Sequence, residues 1–222
     1  GNVVEAMVFG ARQTQDGFLS MDCWKTWSTR LEEFDAVLIG PGMGRTKDNY
    51  SLVRELLRKS SIPVVLDADA ISILENQADL IMKATVPVVM TPHPGEFARL
   101  FGQELSHLQE HRNGMANAAA KFTGGTVVLK GAGTIVSQHD RPQAINLTGN
   151  PGMATGGTGD VLAGMVISLI GQNLSAYDAA RAAVFLHGRA GDLVAWRKSQ
   201  AGLCAGDLIE ELPYVFREIS LR

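Results

Sequence analysis

Short apolar runs, each followed by a glycine-bearing loop and then a stretch of helical spacing, recur along most of this chain. Residues 3–9 predict a strand. Residues 20–34 predict a helix capped by Ser20, with Cys23, Trp24, Trp27 and Leu31 on its apolar side. Ala36-Val-Leu-Ile39 is too short and too uniformly apolar for a surface strand and reads as buried parallel sheet. A glycine loop at 40–44, a helix near 48–59 and a strand at 63–67 complete a βαβ rhythm. The rhythm goes on with a short helix at 70–75, a strand at 86–91, a proline-rich loop opening a helix near 95–101, and a helix near 108–122.

The style then changes. Three short β segments at 126–130, 133–137 and 143–147 are separated by turn residues Gly131, Asp140 and Pro142, which predicts hairpin-like or edge strands and a mixed sheet at this end. From Gly159 onward the pattern is helical, over 161–170, 176–197 and 206–219, with Pro213 able to kink the last segment. No internal repeat, low-complexity tract or interdomain linker interrupts the order. The expectation is a single α/β domain over 1–222.

Composition narrows the function classes. With 45% hydrophobic and 19% charged residues the chain can bury a substantial core. A total of 20 Lys and Arg against 23 Asp and Glu leaves a formal net charge of -3, which argues against nucleic acid as a partner. No apolar run approaches the roughly 20 residues of a membrane helix, and no basic segment precedes an apolar signal core, so no membrane association is expected. Cys23 and Cys204 lie far apart without metal-ligand spacing, which fits a reduced, cytoplasmic setting. The 24 glycines fall largely in loops after apolar strands, a distribution suited to backbone approach to a ligand.

The strongest local signal is Asn150-Pro-Gly-Met-Ala-Thr-Gly-Gly-Thr-Gly-Asp160, which runs directly into the apolar helix at 161–170. Glycines free several N–H groups to point into one cavity, and the helix start adds a positive dipole end, so the stretch predicts an anion hole. Asp160 can take a proton from a hydroxyl beside that hole, or can simply cap the helix. Lys130-Gly-Ala-Gly-Thr134 ends an apolar strand, where amides and a hydroxyl can meet a phosphate or ribose; an ordinary hairpin with a solvated lysine would read the same way. Its place upstream of a second glycine-rich anion site favours one nucleotide bridging both. In Thr91-Pro-His-Pro-Gly-Glu96, His93 can hydrogen-bond a substrate or pack in a rigid turn, and Glu96 can face the ligand or serve the first turn of a helix. Gly40-Pro-Gly-Met-Gly44 is a further post-strand loop, and Asp67-Ala-Asp69 can hold Mg2+ through water or cap a helix.

Taken in order, Gly-Pro-Gly-Met-Gly at 40–44, Leu-Asp-Ala-Asp-Ala at 66–70, Thr-Pro-His-Pro-Gly-Glu at 91–96, Leu-Lys-Gly-Ala-Gly-Thr at 129–134 and Gly-Asn-Pro-Gly-Met-Ala-Thr-Gly-Gly-Thr-Gly-Asp at 149–160 resemble the NAD(P)H-hydrate dehydratase family of the ribokinase-like superfamily. The likeness extends through Leu186-His-Gly188, Ala190-Gly-Asp192 and Asp207-Leu-Ile209. It implies a three-layer α/β/α fold with a mostly parallel central sheet. It also implies a lyase in which ADP or ATP, with Mg2+, phosphorylates the hydroxyl of hydrated NADH or NADPH, and loss of phosphate restores the dihydronicotinamide.

On this resemblance Asp160 is the catalytic base. Lys130, Gly131, Ala132, Gly133 and Thr134, together with Gly156, Gly157, Thr158 and Gly159, form the adenine-nucleotide site. Gly42, His93, Glu96, Asn150 and Asp160 meet the hydrated cofactor. No residue is singled out as a metal ligand, and a homo-oligomer is expected. Family members usually open with a strand ending in a glycine pair and an Ala-rich helix. Neither is found here, so the chain is expected to be amino-terminally incomplete, an epimerase domain ahead of Gly1 being left open. Rival readings are a vitamin-precursor kinase of the same fold, phosphorylating a hydroxymethyl group, and a nucleotide-binding module without turnover. Neither the choice between ADP and ATP nor that between the two hydrates is legible in the sequence.

Overall fold

The computed structural model describes residues 5–220. Six strands form one sheet in the order β1 (Val37–Ile39), β2 (Val64–Leu66), β3 (Val88–Met90), β4 (Thr126–Leu129), β5 (Ile135–Ser137) and β6 (Ala144–Ile145). The first four are parallel, with Val37 opposite Val64, Val64 opposite Val88 and Val89 opposite Thr126; β5 and β6 return antiparallel. Uniformly apolar strands follow from cover on both faces. Val64, Leu66, Val88, Met90, Val127 and Leu129 face one core, whereas Val65, Val89 and Val128 face the other.

Helices close each face. On the first lie α2 (Lys47–Lys59), α3 (Ala68–Ser72), α4 (Asp79–Met82), α5 (Pro94–Phe101), α6 (Leu105–Glu110) and α7 (Arg112–Thr123), supplying Leu56, Leu57, Ile71, Ile81, Phe97 and Ala120. On the second lie α8 (Thr158–Gly171), α9 (Ala176–Arg197) and α10 (Ala205–Ser220), supplying Val166, Ala183, Leu208 and Val215. Full burial of each large aliphatic side chain contributes roughly 1.5–3 kcal/mol. The result is the three-layer α/β/α architecture expected from the sequence. Among the described residues no helix is long and apolar enough to cross a membrane.

Four expectations change. Of the strand at 3–9, residues 3 and 4 lie outside the described residues, and residues 5–9 form no strand: Met7 and Val8 are exposed, and among the described residues neither pairs in the sheet. The helix at 20–34 shortens to α1 (Cys23–Trp27) and a 3-10 turn at Leu31–Glu33. The intervening Ser28 and Thr29 favour local hydroxyl bonds over helix, and Thr29 Oγ1 donates to the Thr26 carbonyl at 3.1 Å. Ser20 is not the cap of α1; its Oγ instead accepts from the Asp22 amide, and Asp22 precedes the first helical residue. The helix at 108–122 is two, α6 and α7, divided at His111, whose backbone leaves the helical region. In contrast, α10 runs unbroken through Pro213.

The parallel register brings the ends of β1 to β4 to one edge of the sheet. Loop bonds hold them level there: Asp67 N–H donates to Ile39 O, Thr91 N–H to Leu66 O, and Lys130 N–H to Pro92 O. The amino terminus of α8 opens beside the same edge, within reach of the Lys130 side chain.

Candidate active site

Helix α8 begins at Gly157, which takes a left-handed backbone (φ +86°) as its N-cap. No side chain caps the helix, so its first turn presents amides outward beneath a positive dipole end. The loop leading in is pinned from below. Thr158 Oγ1 donates to the carbonyls of Met153 and Thr155, both at 2.9 Å, and His187 Nε2 donates to the Thr158 carbonyl at 2.9 Å. Asp192 accepts from the Gly149 amide at 3.0 Å and from Asn150 Nδ2 at 3.1 Å, while Asn150 Oδ1 accepts from the Gly152 amide. Both polar ends of Asn150 are thus engaged in holding this loop.

Asp160 is the third residue of α8. The capping position belongs to Gly157, and among the described residues the Asp160 carboxylate has neither a hydrogen bond nor an ion pair. It is exposed, at the head of an apolar groove of about 450 Å³ between α8 and α10 that includes Val161, Met165, Leu212 and Phe216. A carboxylate with no structural partner, beside uncapped amides, is available to accept a proton.

Lys130 is not the solvated lysine of an ordinary hairpin. Its ammonium lies 3.0 Å from Asp67 Oδ1 and 3.9 Å from Glu96 Oε2, and a Cβ on Gly159 would stand 3.4 Å from it. The turn after it is shaped by left-handed glycines at 131 and 133, and Thr134 Oγ1 donates to the Gly131 carbonyl at 2.9 Å. From α7, Arg112 donates to the carbonyls of Ala132 (2.6 Å), Lys130 (3.3 Å) and Leu129 (3.4 Å). Burial holds the pKa of this guanidinium below its ordinary value. Sequence reasoning missed Arg112, as well as the loop-holding parts of His187 and Asp192. An arginine opening an alanine-rich helix carries no local signal of a partner twenty residues on.

His93 caps α5. Its Nδ1 accepts from the amides of Gly95 (3.0 Å) and Glu96 (3.3 Å), and Glu96 Oε2 accepts from the His93 amide at 2.8 Å. An accepting Nδ1 is unprotonated, which leaves the ring proton on Nε2, 3.5 Å from Glu96 Oε1 on a half-exposed ring. Burial lowers the His93 pKa, Glu96 opposing and the charges of Lys130 and Arg99 adding to the shift. Gly42, at φ +66°, has open space where a side chain would stand, and Asp69 braces its loop by accepting from the Gly44 amide at 2.9 Å.

Mg2+ finds no dedicated cage. Asp67 Oδ1 already accepts from Thr91 Oγ1 (2.6 Å) and Lys130, Asp69 serves the loop, and among the described residues no group of three or more His, Cys, Asp or Glu could hold a metal.

His187 also makes the site acid-sensitive. Burial pushes its pKa down to about 4, against an ordinary 6.5. The folded protein favours the neutral ring, so this contribution is complete above pH 6.5 and is lost as pH falls toward 4. From this group the expected loss between pH 7 and pH 5 is about 2 kcal/mol. Urea unfolding at the two pH values should show it, and His187→Gln should remove most of the difference. Equal slopes in both proteins would place the acid sensitivity elsewhere.

The geometry can be set beside known proteins. A family profile described as NAD(P)H-hydrate dehydratase matches residues 3–214. The bifunctional NAD(P)H-hydrate repair enzyme Nnr of Moorella thermoacetica is 42% identical over 215 residues, which are 97% of this chain but 41% of that protein. The chain therefore spans less than half the length of that relative. A solved Bacillus subtilis ADP/ATP-dependent NAD(P)H-hydrate dehydratase, co-crystallized with ATP/Mg2+ and soaked with CoA, is 35% identical with a TM-score of 0.78, over 89% of this chain and 72% of that one. A ribokinase-like superfamily protein from Enterococcus faecalis is 27% identical with a TM-score of 0.71, over 89% and 68%. With nearly the whole chain covered by the profile and the sheet shared with a ribokinase-like relative, this protein belongs to the NAD(P)H-hydrate dehydratase family.

Proposed function

We propose that this chain is a single dehydratase domain that uses ADP or ATP to return hydrated NADH or NADPH to the dihydronicotinamide. The observation that carries the reading is the Asp160 carboxylate, without a partner among the described residues, at the uncapped start of α8, beside a lysine that reaches Gly159. The nucleotide lies between the turn Lys130–Thr134 and the loop Gly156–Gly159, its phosphates against the α8 amides. The hydrate lies toward Gly42, the Nε2–H of His93 and Asp160. Glu96 contributes by orienting His93, and Asn150 by holding the loop.

Asp160 takes the proton of the hydrate hydroxyl, and the oxygen attacks the terminal phosphorus as the nucleotide, one phosphate shorter, departs. The lone pair of the ring nitrogen then expels phosphate from the neighbouring carbon, and loss of a proton from the next ring carbon restores the double bond. The backbone amides stabilise charge on the transferring group. Mg2+, if carried in on the nucleotide phosphates, would supply further charge stabilisation to the transferring group. We also place the enzyme in the cytoplasm, which its free cysteines suit, and as a homo-oligomer, for which exposed Trp196, Ile209, Tyr214 and Phe216 offer apolar surface.

Recovery of dihydronicotinamide absorbance from hydrated NADH, only with ADP or ATP and in step with free phosphate, is the expected result. A stable phosphate ester on a thiamin or pyridoxine precursor, without that recovery, would replace the reading with a kinase. Hydrogen exchange with ADP should protect both 130–134 and 156–159; protection confined to 40–44 would move the nucleotide to another loop.

A further inference from the structure

Lys130 lies where four elements meet. Its backbone directly follows β4, its ammonium touches Asp67 at the end of β2 and approaches Glu96 in the first turn of α5, and it stands over Gly159 at the start of α8. The side chain of Asp67 is 1% exposed and that of Glu96 7%. Carboxylates so deeply buried need a cation beside them. Among the described residues Lys130 is the one ion-pair partner of Asp67, and His93 the other neighbour of Glu96.

Asp67 has a second partner, the Thr91 hydroxyl, which lies closer to it than to the Leu66 carbonyl that the same hydroxyl also reaches. Thr91, itself fully buried, donates its hydroxyl hydrogen to the same Asp67 oxygen that meets the ammonium. The positive end of α8 alone would repel the lysine, so the two acids are what hold it there. Two buried acids beside a phosphate-sized anion hole are where a divalent cation would be expected. Here an ammonium fills that place. Resting on the functional reading above, we infer that Lys130 is the built-in cation of the phosphoryl site and that Asp67, steadied by Thr91, is its positioning residue. The ammonium offsets the charge of Asp67 at 3.0 Å and, from farther off, part of that of Glu96 while the site is free of nucleotide, and it meets phosphate charge as a point charge when nucleotide arrives.

The test pairs a metal titration, which needs no turnover, with kinetics. Mn2+ alone should not bind the parent protein at micromolar concentration. Asp67→Asn keeps the shape and should bind ADP within about threefold of the parent, leave the KM for hydrate within about threefold, and lower kcat by about tenfold to a hundredfold as the ammonium loses its anchor. In a Lys130→Met background the same change should have no further effect on kcat, since both act through one group. Should Asp67→Asn fail to fold, Thr91→Val removes only the hydroxyl, and a kcat loss of about threefold or more at unchanged ADP affinity is expected. Micromolar Mn2+ binding abolished by Asp67→Asn would make Asp67 a metal ligand and overturn the inference. So would parental kcat in a folded Asp67→Asn or Thr91→Val. A parent protein that neither binds ADP nor dehydrates the hydrate would instead sink the functional reading, with the metal titration still deciding what cation the acids hold.

Discussion

Replacing Asp160 by asparagine is expected to lower turnover of the hydrated cofactor by about a thousandfold while the protein folds as before. The kinetic half follows from the loss of a base: an amide has the size of the carboxylate but cannot accept the hydroxyl proton at neutral pH. The folding half follows from position. Gly157, not Asp160, caps α8, and the carboxylate has no partner among the described residues, so nothing in the packing depends on its charge. The midpoint of thermal unfolding should therefore move by no more than about 2 °C, and ADP affinity should stay within a few-fold. Turnover within about tenfold of the parent would remove Asp160 from the proton transfer. An unfolded variant would return it to a structural part.

Gly40→Ala should have the largest effect on stability. Gly40 closes β1 with φ +135°, where L residues are strained, and a Cβ there would overlap the Asp67 carbonyl, stand 2.8 Å from its carbon and 3.0 Å from the Ala70 side chain. These are backbone and helix atoms that cannot swing aside. Strain and overlap together are expected to cost about 4 kcal/mol, or on the order of 10 °C in unfolding midpoint for a chain of this size. Gly42→Ala is the natural control. It shares a left-handed backbone (φ +66°) but has open space around its Cβ, and should cost only about 1 kcal/mol. Similar losses in both, measured by denaturant unfolding, would show that backbone freedom alone, and not close approach to Asp67, accounts for Gly40.

The parallel strands were legible because a strand covered on both faces needs no alternation: Val64-Val-Leu66 and Val88-Val-Met90 can hardly be read otherwise. Residues 5–9 belong to a stretch with a similar apolar signal, but a strand also needs a neighbour, which no local pattern reveals. The glycine loops of the site were likewise visible as loops after strands. What escaped was everything built from distant pairs. Lys130 meets Asp67 across 63 residues, His187 meets Thr158 across 29, and Asn150 meets Asp192 across 42. Whether Lys130 was solvated or buried, and whether Asp160 capped its helix, depended on such pairs, and each alternative looked alike in the local sequence.

The antiparallel return of β5 against β4 bears on how the protein would fail under stress. The turn Lys130–Thr134 closes a local hairpin whose register is held by Leu129 opposite Ile135 and Val128 opposite Val136, and Arg112 straps it from outside. The loop carrying Gly42 instead follows β1, a short, half-buried strand at the opposite margin, paired among the described strands on one side only. Contacts of short sequence separation reform quickly and open last, whereas a marginal parallel strand frays first. If the ligands lie as proposed above, grip on the nucleotide should therefore outlast grip on the hydrate on mild heating. In that window the protein would hold ADP without repairing anything, so a ligand-binding assay would overstate how much working enzyme remains.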